Sequence, residues 1–120
     1  MDDAAIRLGR ALRDARLRQA EEHPRAFSVR ALAARLGVSA TYLSLVERGA
    51  QRPTESLLRT LAEELGEDPE RLLALAGRVP ADVTEALRAR PQLAELVRAL
   101  RDLPEPELNR RIRRIRDGDW

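Results

Sequence analysis

Cysteine and lysine are both absent from this chain of 120 residues, and His, Met, Phe, Tyr and Trp each occur once. Without cysteine there are no disulfides, no thiolate metal ligands and no thiol catalysis. With aromatics at 2% of residues, a core must be built from Leu, Ala, Val and Ile. That palette suits helices better than sheets. No apolar run approaches the roughly 20 residues of a membrane span, and the opening MDDAAIRLGR carries acids and lacks an apolar signal core. The expectation is a cytoplasmic all-α chain with no membrane contact, holding one domain or a small domain plus an appendage. Catalysis is not expected. The lone histidine, His23, precedes Pro24 in a loop and reads as a surface residue. There is no Gly-rich phosphate loop and no metal-spaced cluster. Pairs such as Glu63–Glu64 and Glu67–Asp68 read as solvated faces or caps. No metal and no cofactor are expected.

Every basic residue is arginine, as a GC-rich coding sequence favours, and the net charge is only +2. Distribution is more informative than the sum. Residues 1–60 hold 11 Arg against 7 acids, whereas residues 61–120 hold 11 Arg against 13. The positive excess therefore lies in the first half.

Helical spacing recurs throughout. Leu8, Leu12 and Ala15 share one face of a first helix from about Asp3 to Glu22, which His23–Pro24 ends because the residue before proline avoids helical geometry. The stretch EEHPRAF, residues 21–27, reads as a surface insertion with Phe27 folding back on the core. Residues 28–49 read SVRALAARLGVSATYLSLVERG. Leu32, Ala33 and Leu36 make one apolar face, and Gly37 can end that helix in the left-handed conformation. Val38 plugs inward and Ser39 caps the next helix. That helix turns Leu43 and Val46 inward and Ala40, Thr41, Ser44 and Leu45 outward. Thr54 caps a fourth helix carrying Leu57, Leu58, Leu61 and Leu65, and Gly66 closes it. Asp68–Pro69–Glu70 combines an N-cap, proline at the first helical position and an early acid. The fifth helix ends at Gly77. A short helix, a Gly turn and a capped second helix form a helix-turn-helix, whose second helix can enter a DNA major groove. A bundle that uses these helices only for packing would imitate the pattern.

Ala33-x-x-Leu36-Gly37-Val38-Ser39, then Tyr42, Leu43, Ser44, the run Glu47–Arg48–Gly49 and Pro53, resembles the lambda-repressor-like (Cro-type, XRE) DNA-binding domain. The likeness runs from about Leu8 to Gly77, the size of that family's five-helix domain. It implies a helix-turn-helix domain over residues 1–77 and base reading by Ala40, Thr41, Ser44 and Leu45. Candidate phosphate contacts are Ser28, Arg30, Ser39, Tyr42, Arg48, Gln51 and Arg52. Each of these arginines taken singly is equally a solvated charge. None of the four base-reading residues is Arg, Asn, Gln or Lys, which make the discriminating bidentate contacts. Specificity should then lean on DNA shape, water and dimer geometry. Val29 stands where the family often has Gln, which removes one backbone contact. In the family, the counterpart of Glu47 commonly pairs with an Arg of the first helix, which maps to Arg16. The alternative is Glu47 bonding locally.

Residues 78–120 form a helical extension with patterns over roughly Ala81–Ala89, Pro91–Asp102 and Glu105–Arg116. Three short helices bury little alone. Leu93, Leu96, Val97, Leu100, Leu108, Ile112, Ile115 and Trp120 are the candidate dimer or partner residues. The Arg-rich last helix admits three roles: DNA phosphates, docking across a dimer against Glu63, Glu64, Glu67 and Glu70, or binding another protein. Docking across the dimer is the favoured expectation. The whole reads as a bacterial or phage-type transcriptional regulator. The expected repressor acts as a homodimer on an inverted repeat in double-stranded DNA. The alternative is an interaction protein, an antitoxin masking a toxin or a repressor controlled by a metalloprotease, whose DNA binding is autoregulatory.

Overall fold

Residues 2–118 are described by the computed structural model, and among them eight helices and no strand occur. They are α1 (Asp3–Glu22), α2 (Val29–Leu36), α3 (Ala40–Glu47), α4 (Glu55–Leu65), α5 (Pro69–Leu75), α6 (Ala81–Ala89), α7 (Leu93–Leu100) and α8 (Glu105–Arg116). The first five start at side-chain caps. Asp2, Ser28, Ser39, Thr54 and Asp68 each accept a backbone N–H of the following turn. Such a cap contributes about 1 kcal/mol because it satisfies a donor the helix itself cannot.

The chain divides into two compact units, Met1–Pro80 and Ala81–Trp120. The first holds α1 to α5 together with Arg78. Its backbone N–H bonds the Leu73 carbonyl at 2.9 Å and its guanidinium donates to the Pro53 carbonyl at 2.6 Å. The core of this unit is aliphatic. Leu8, Leu12 and Ala15 of α1 meet Leu32 and Ala33 of α2, Leu43 and Val46 of α3, Leu58, Leu61, Ala62 and Leu65 of α4, and Leu72 and Leu73 of α5. Phe27 and Tyr42 are the aromatics packed at its edge. Gln19 donates to the Leu65 carbonyl at 3.0 Å and so closes α4 from α1.

The stretch after α1 is stapled down rather than loose. The Arg35 guanidinium lies 4.9 Å from the centre of the Phe27 ring, bonds the Ala26 carbonyl and pairs with Glu64 at 2.9 Å.

In the second unit α6 and α7 pack on each other, and no residue of α6, α7 or α8 is buried. Helix α7 is shorter than the expected Pro91–Asp102. Leu93, Ala94 and Glu95 donate to carbonyls three residues back, a tighter turn that starts the helix late. Val83, Leu96, Val97, Ile112 and Ile115 are exposed, while Leu93, Leu100 and Leu108 are half-buried. Trp120 lies outside the described residues. No single helix among those described is long and apolar enough to cross a membrane.

Candidate nucleic-acid interface

Helices α2 and α3 meet at a bend of 107°, within the ~90–120° of a helix-turn-helix. The turn is local chemistry. Gly37 takes φ +73°, and the N–H groups of Gly37 and Val38 return to the Ala34 and Ala33 carbonyls at 3.2 and 3.1 Å. No residue with a Cβ adopts that φ at ease. Ser28 Oγ accepts the Ala31 N–H at 3.1 Å and Ser39 Oγ accepts the Tyr42 N–H at 3.0 Å. The Ser28 hydroxyl donates its own proton to the Arg25 carbonyl at 3.4 Å, whereas the Ser39 hydroxyl keeps a proton it can donate to a phosphate.

The far end of α3 is locked onto α1. A Cβ on Gly9 would lie 2.5 Å from the carbonyl oxygens of both Val46 and Glu47. One on Gly49, whose φ is +77°, would lie 2.8 Å from Ile6 Cα. Only glycine permits this approach at either place. Beside it, Arg16 Nε donates to Glu47 Oε2 at 2.7 Å and its Nη2 to Oε1 at 2.9 Å, a two-pronged fork. The third prong reaches the Phe27 carbonyl at 3.2 Å. The side chains are 10% and 7% exposed. Hydrogen bonding to Glu47 holds the Arg16 guanidinium more firmly protonated than usual, against the opposing effect of burial. Sequence reasoning missed Gly9. A glycine inside a helix of good formers was the available signal.

With its inner face and C-terminal end fixed, α3 leaves Thr41 exposed and Ser44 and Leu45 half-buried, while Ala40, expected outward, is half-buried and packs on the core as the first residue of the helix beside Val38. Tyr42 is half-buried and packs partly on the core. Arg30, Gln51 and Arg48 are exposed, and neither arginine forms an ion pair among the described residues. Arg52 behaves differently from the expected phosphate contact, since Asp2 at the start of α1 already pairs with it. A shallow groove runs along this side, lined by Arg13, Arg16, Val29, Ser44, Glu47 and Arg48. Arg16 and Glu47 neutralise one another, so Arg13 and Arg48 give the groove its positive charge. Arg13 was not singled out from the sequence. It stands three residues before Arg16 on the same side of α1, and that spacing was the legible sign. Val29 packs on the core here and lines the groove.

The expected acidic landing surface for α8 is largely engaged. Glu64 pairs with Arg35, Glu67 with Arg18 and Arg71, and Glu70 with Arg59. Sequence could not show this, because most of these partners lie on other helices.

Two short helices crossing at this angle, the second capped, pinned and outward-facing beside arginines that form no ion pair among the described residues, make a protein of the helix-turn-helix class. A family model described as a helix-turn-helix domain matches residues 7–75, and the chain belongs to that family. It is a DNA-binding regulator with a helical extension after the domain. Neither a curated protein nor a solved structure matches it.

Proposed function

We propose that this chain is a lambda-repressor-like transcriptional regulator, acting as a repressor in a bacterium or phage. It binds duplex DNA as a homodimer on an inverted repeat. The observation that carries the reading is α3, capped at one end and held against α1 at the other, whose outer face stands beside a groove bearing Arg13 and Arg48, neither in an ion pair among the described residues. In it, Ala40, Leu45 and the Thr41 methyl meet thymine methyls, while Ser44 and the Thr41 hydroxyl bond base edges. Ser28, Ser39, Arg30, Arg48, Gln51 and Tyr42 hold the backbone, with Arg13 as an addition. These contacts position the protein without reading sequence. The apolar side chains exposed on α7 and α8 support a second copy as partner. A two-fold dimer sets half-sites about 34 Å apart.

Genomic fragments selected by the purified protein supply the duplex for the test. Footprinting should show paired, inverted half-sites, and sedimentation a dimer at micromolar concentration. Arg48→Ala should lower the log–log salt slope by about 0.9 without altering base preference, and Thr41→Ala should shift the preference. A lone half-site or a monomer would overturn the dimer, and an Arg48→Ala protein with altered preference and an intact slope would overturn the assigned roles.

A further inference from the structure

Helix α8 separates its chemistry by side. Leu108, Ile112 and Ile115, at i, i+4 and i+7, make one apolar stripe. Arg110, Arg113 and Arg114, at i, i+3 and i+4, occupy the opposite side. All three arginines are exposed. The anions within reach are few. Glu107 pairs with both Arg110 and Arg111, and Asp117 with Arg116. The hydrogen bond from Arg111 and the charge of Arg110 hold the Glu107 carboxyl below its usual range, so it stays ionised. It is nevertheless one charge shared between two cations. Arg113 and Arg114 form no ion pair among the described residues.

The helix dipole accounts for arginines in the last turn, where a cation is favoured. It does not account for their clustering opposite the stripe. Of the acids expected to receive this side, Glu64, Glu67 and Glu70 already face arginines of their own unit. Duplex DNA offers complementary charge in excess. Arg110 to Arg116 covers about 9 Å of helix axis, and a duplex presents about five phosphate charges over that length.

We infer that the Arg110–Arg113–Arg114 side of α8 is a second DNA-backbone contact, independent of sequence, that adds to the contacts of the helix-turn-helix. This rests on the DNA-binding reading above. The apolar stripe is left free for a protein partner, so one short helix serves two surfaces.

The test uses the full chain and a mixed-sequence duplex about 40 bp long, titrated between roughly 50 and 200 mM salt. Arg113→Gln/Arg114→Gln removes two charges and keeps helix propensity, since Gln and Arg are near equals. The expected slope is smaller by about 1.8, so the loss of affinity across that salt range shrinks about 12-fold. Arg88→Gln/Arg98→Gln removes the same charge elsewhere in the unit and should leave the slope unchanged. Arg48→Ala is run in parallel to keep the two surfaces distinct. A slope that falls for Arg48→Ala but not for the α8 variant overturns the inference and leaves the helix-turn-helix reading standing. A fall for the α8 variant alone supports the inference and removes Arg48 from the helix-turn-helix contacts. Equal falls for both arginine pairs, or a fall that sedimentation traces to a broken dimer, assign the α8 arginines no DNA contact.

Discussion

Arg16 has a guanidinium that satisfies three acceptor atoms at once: both oxygens of Glu47 and the Phe27 carbonyl. It thereby ties α1 to the end of α3 and to the turn before α2. Such a pair gains little net stability over an apolar replacement, because both charges were taken out of water. Losing one partner strands the other, and that is the costly event. Arg16→Ala should therefore lower stability by roughly 3–5 kcal/mol, against under ~0.5 for the exposed Arg7→Ala. Arg16→Lys should fall between them, since an ammonium cannot reproduce the fork. Urea unfolding of the three variants is the measurement. Equal midpoints for Arg16→Ala and Arg7→Ala would show that the pair carries nothing.

Helix α3 is a short element held at both ends. Its N-terminal end is set by the Ser39 cap and its C-terminal end by the backbone approach at Gly9. The approach involves two carbonyl oxygens, which cannot rotate away as a side chain could. Gly9→Ala should thus push α3 off α1 even though alanine is the better helix former. Overpacking of this kind typically costs 1–3 kcal/mol, and backbone atoms place it at the upper end. The expected result is a lower melting temperature together with weaker duplex binding. Gly37 is the contrast: a Cβ there would meet nothing within 4 Å, yet its φ is +73°. There Gly37→Ala acts through backbone strain alone, roughly 1–2 kcal/mol. A Gly9→Ala protein that melted and bound like the parent would show that α1 does not position the recognition helix.

The whole molecule joins a unit that owns a core to a unit that does not. All the buried side chains of the cluster come from α1 to α5, and none from α6 to α8. A chain ending at Pro80 should accordingly keep cooperative thermal unfolding. It should lose self-association and, with it, much of its affinity for a two-half-site duplex, because a dimer gains the second half-site at high effective concentration. Calorimetry and sedimentation with and without duplex check this. A chain ending at Pro80 that stayed dimeric and bound DNA undiminished would move the dimer contact into α1–α5.

The starts of α2 to α5 were decided by the sequence alone, whereas α7 begins later than its pattern implied. Ser28, Ser39, Thr54 and Asp68 cap where they stand, and Gly37 and Gly66 end helices with left-handed backbones. Capping and glycine conformation act within a few residues, so neighbours in the chain suffice to read them. The inward Leu43 and Val46 and the outward Thr41 followed from helical period for the same reason. Resemblance to a family located the Arg16–Glu47 contact, which periodicity could not. What only the tertiary structure decided was every pairing between distant segments. It alone placed Gly9 under the α3 carbonyls, Arg13 in the groove, Asp2 against Arg52 and the acids of residues 64–70 against arginines. These depend on how helices cross, which is set by the summed packing of the core and by no local signal in the chain.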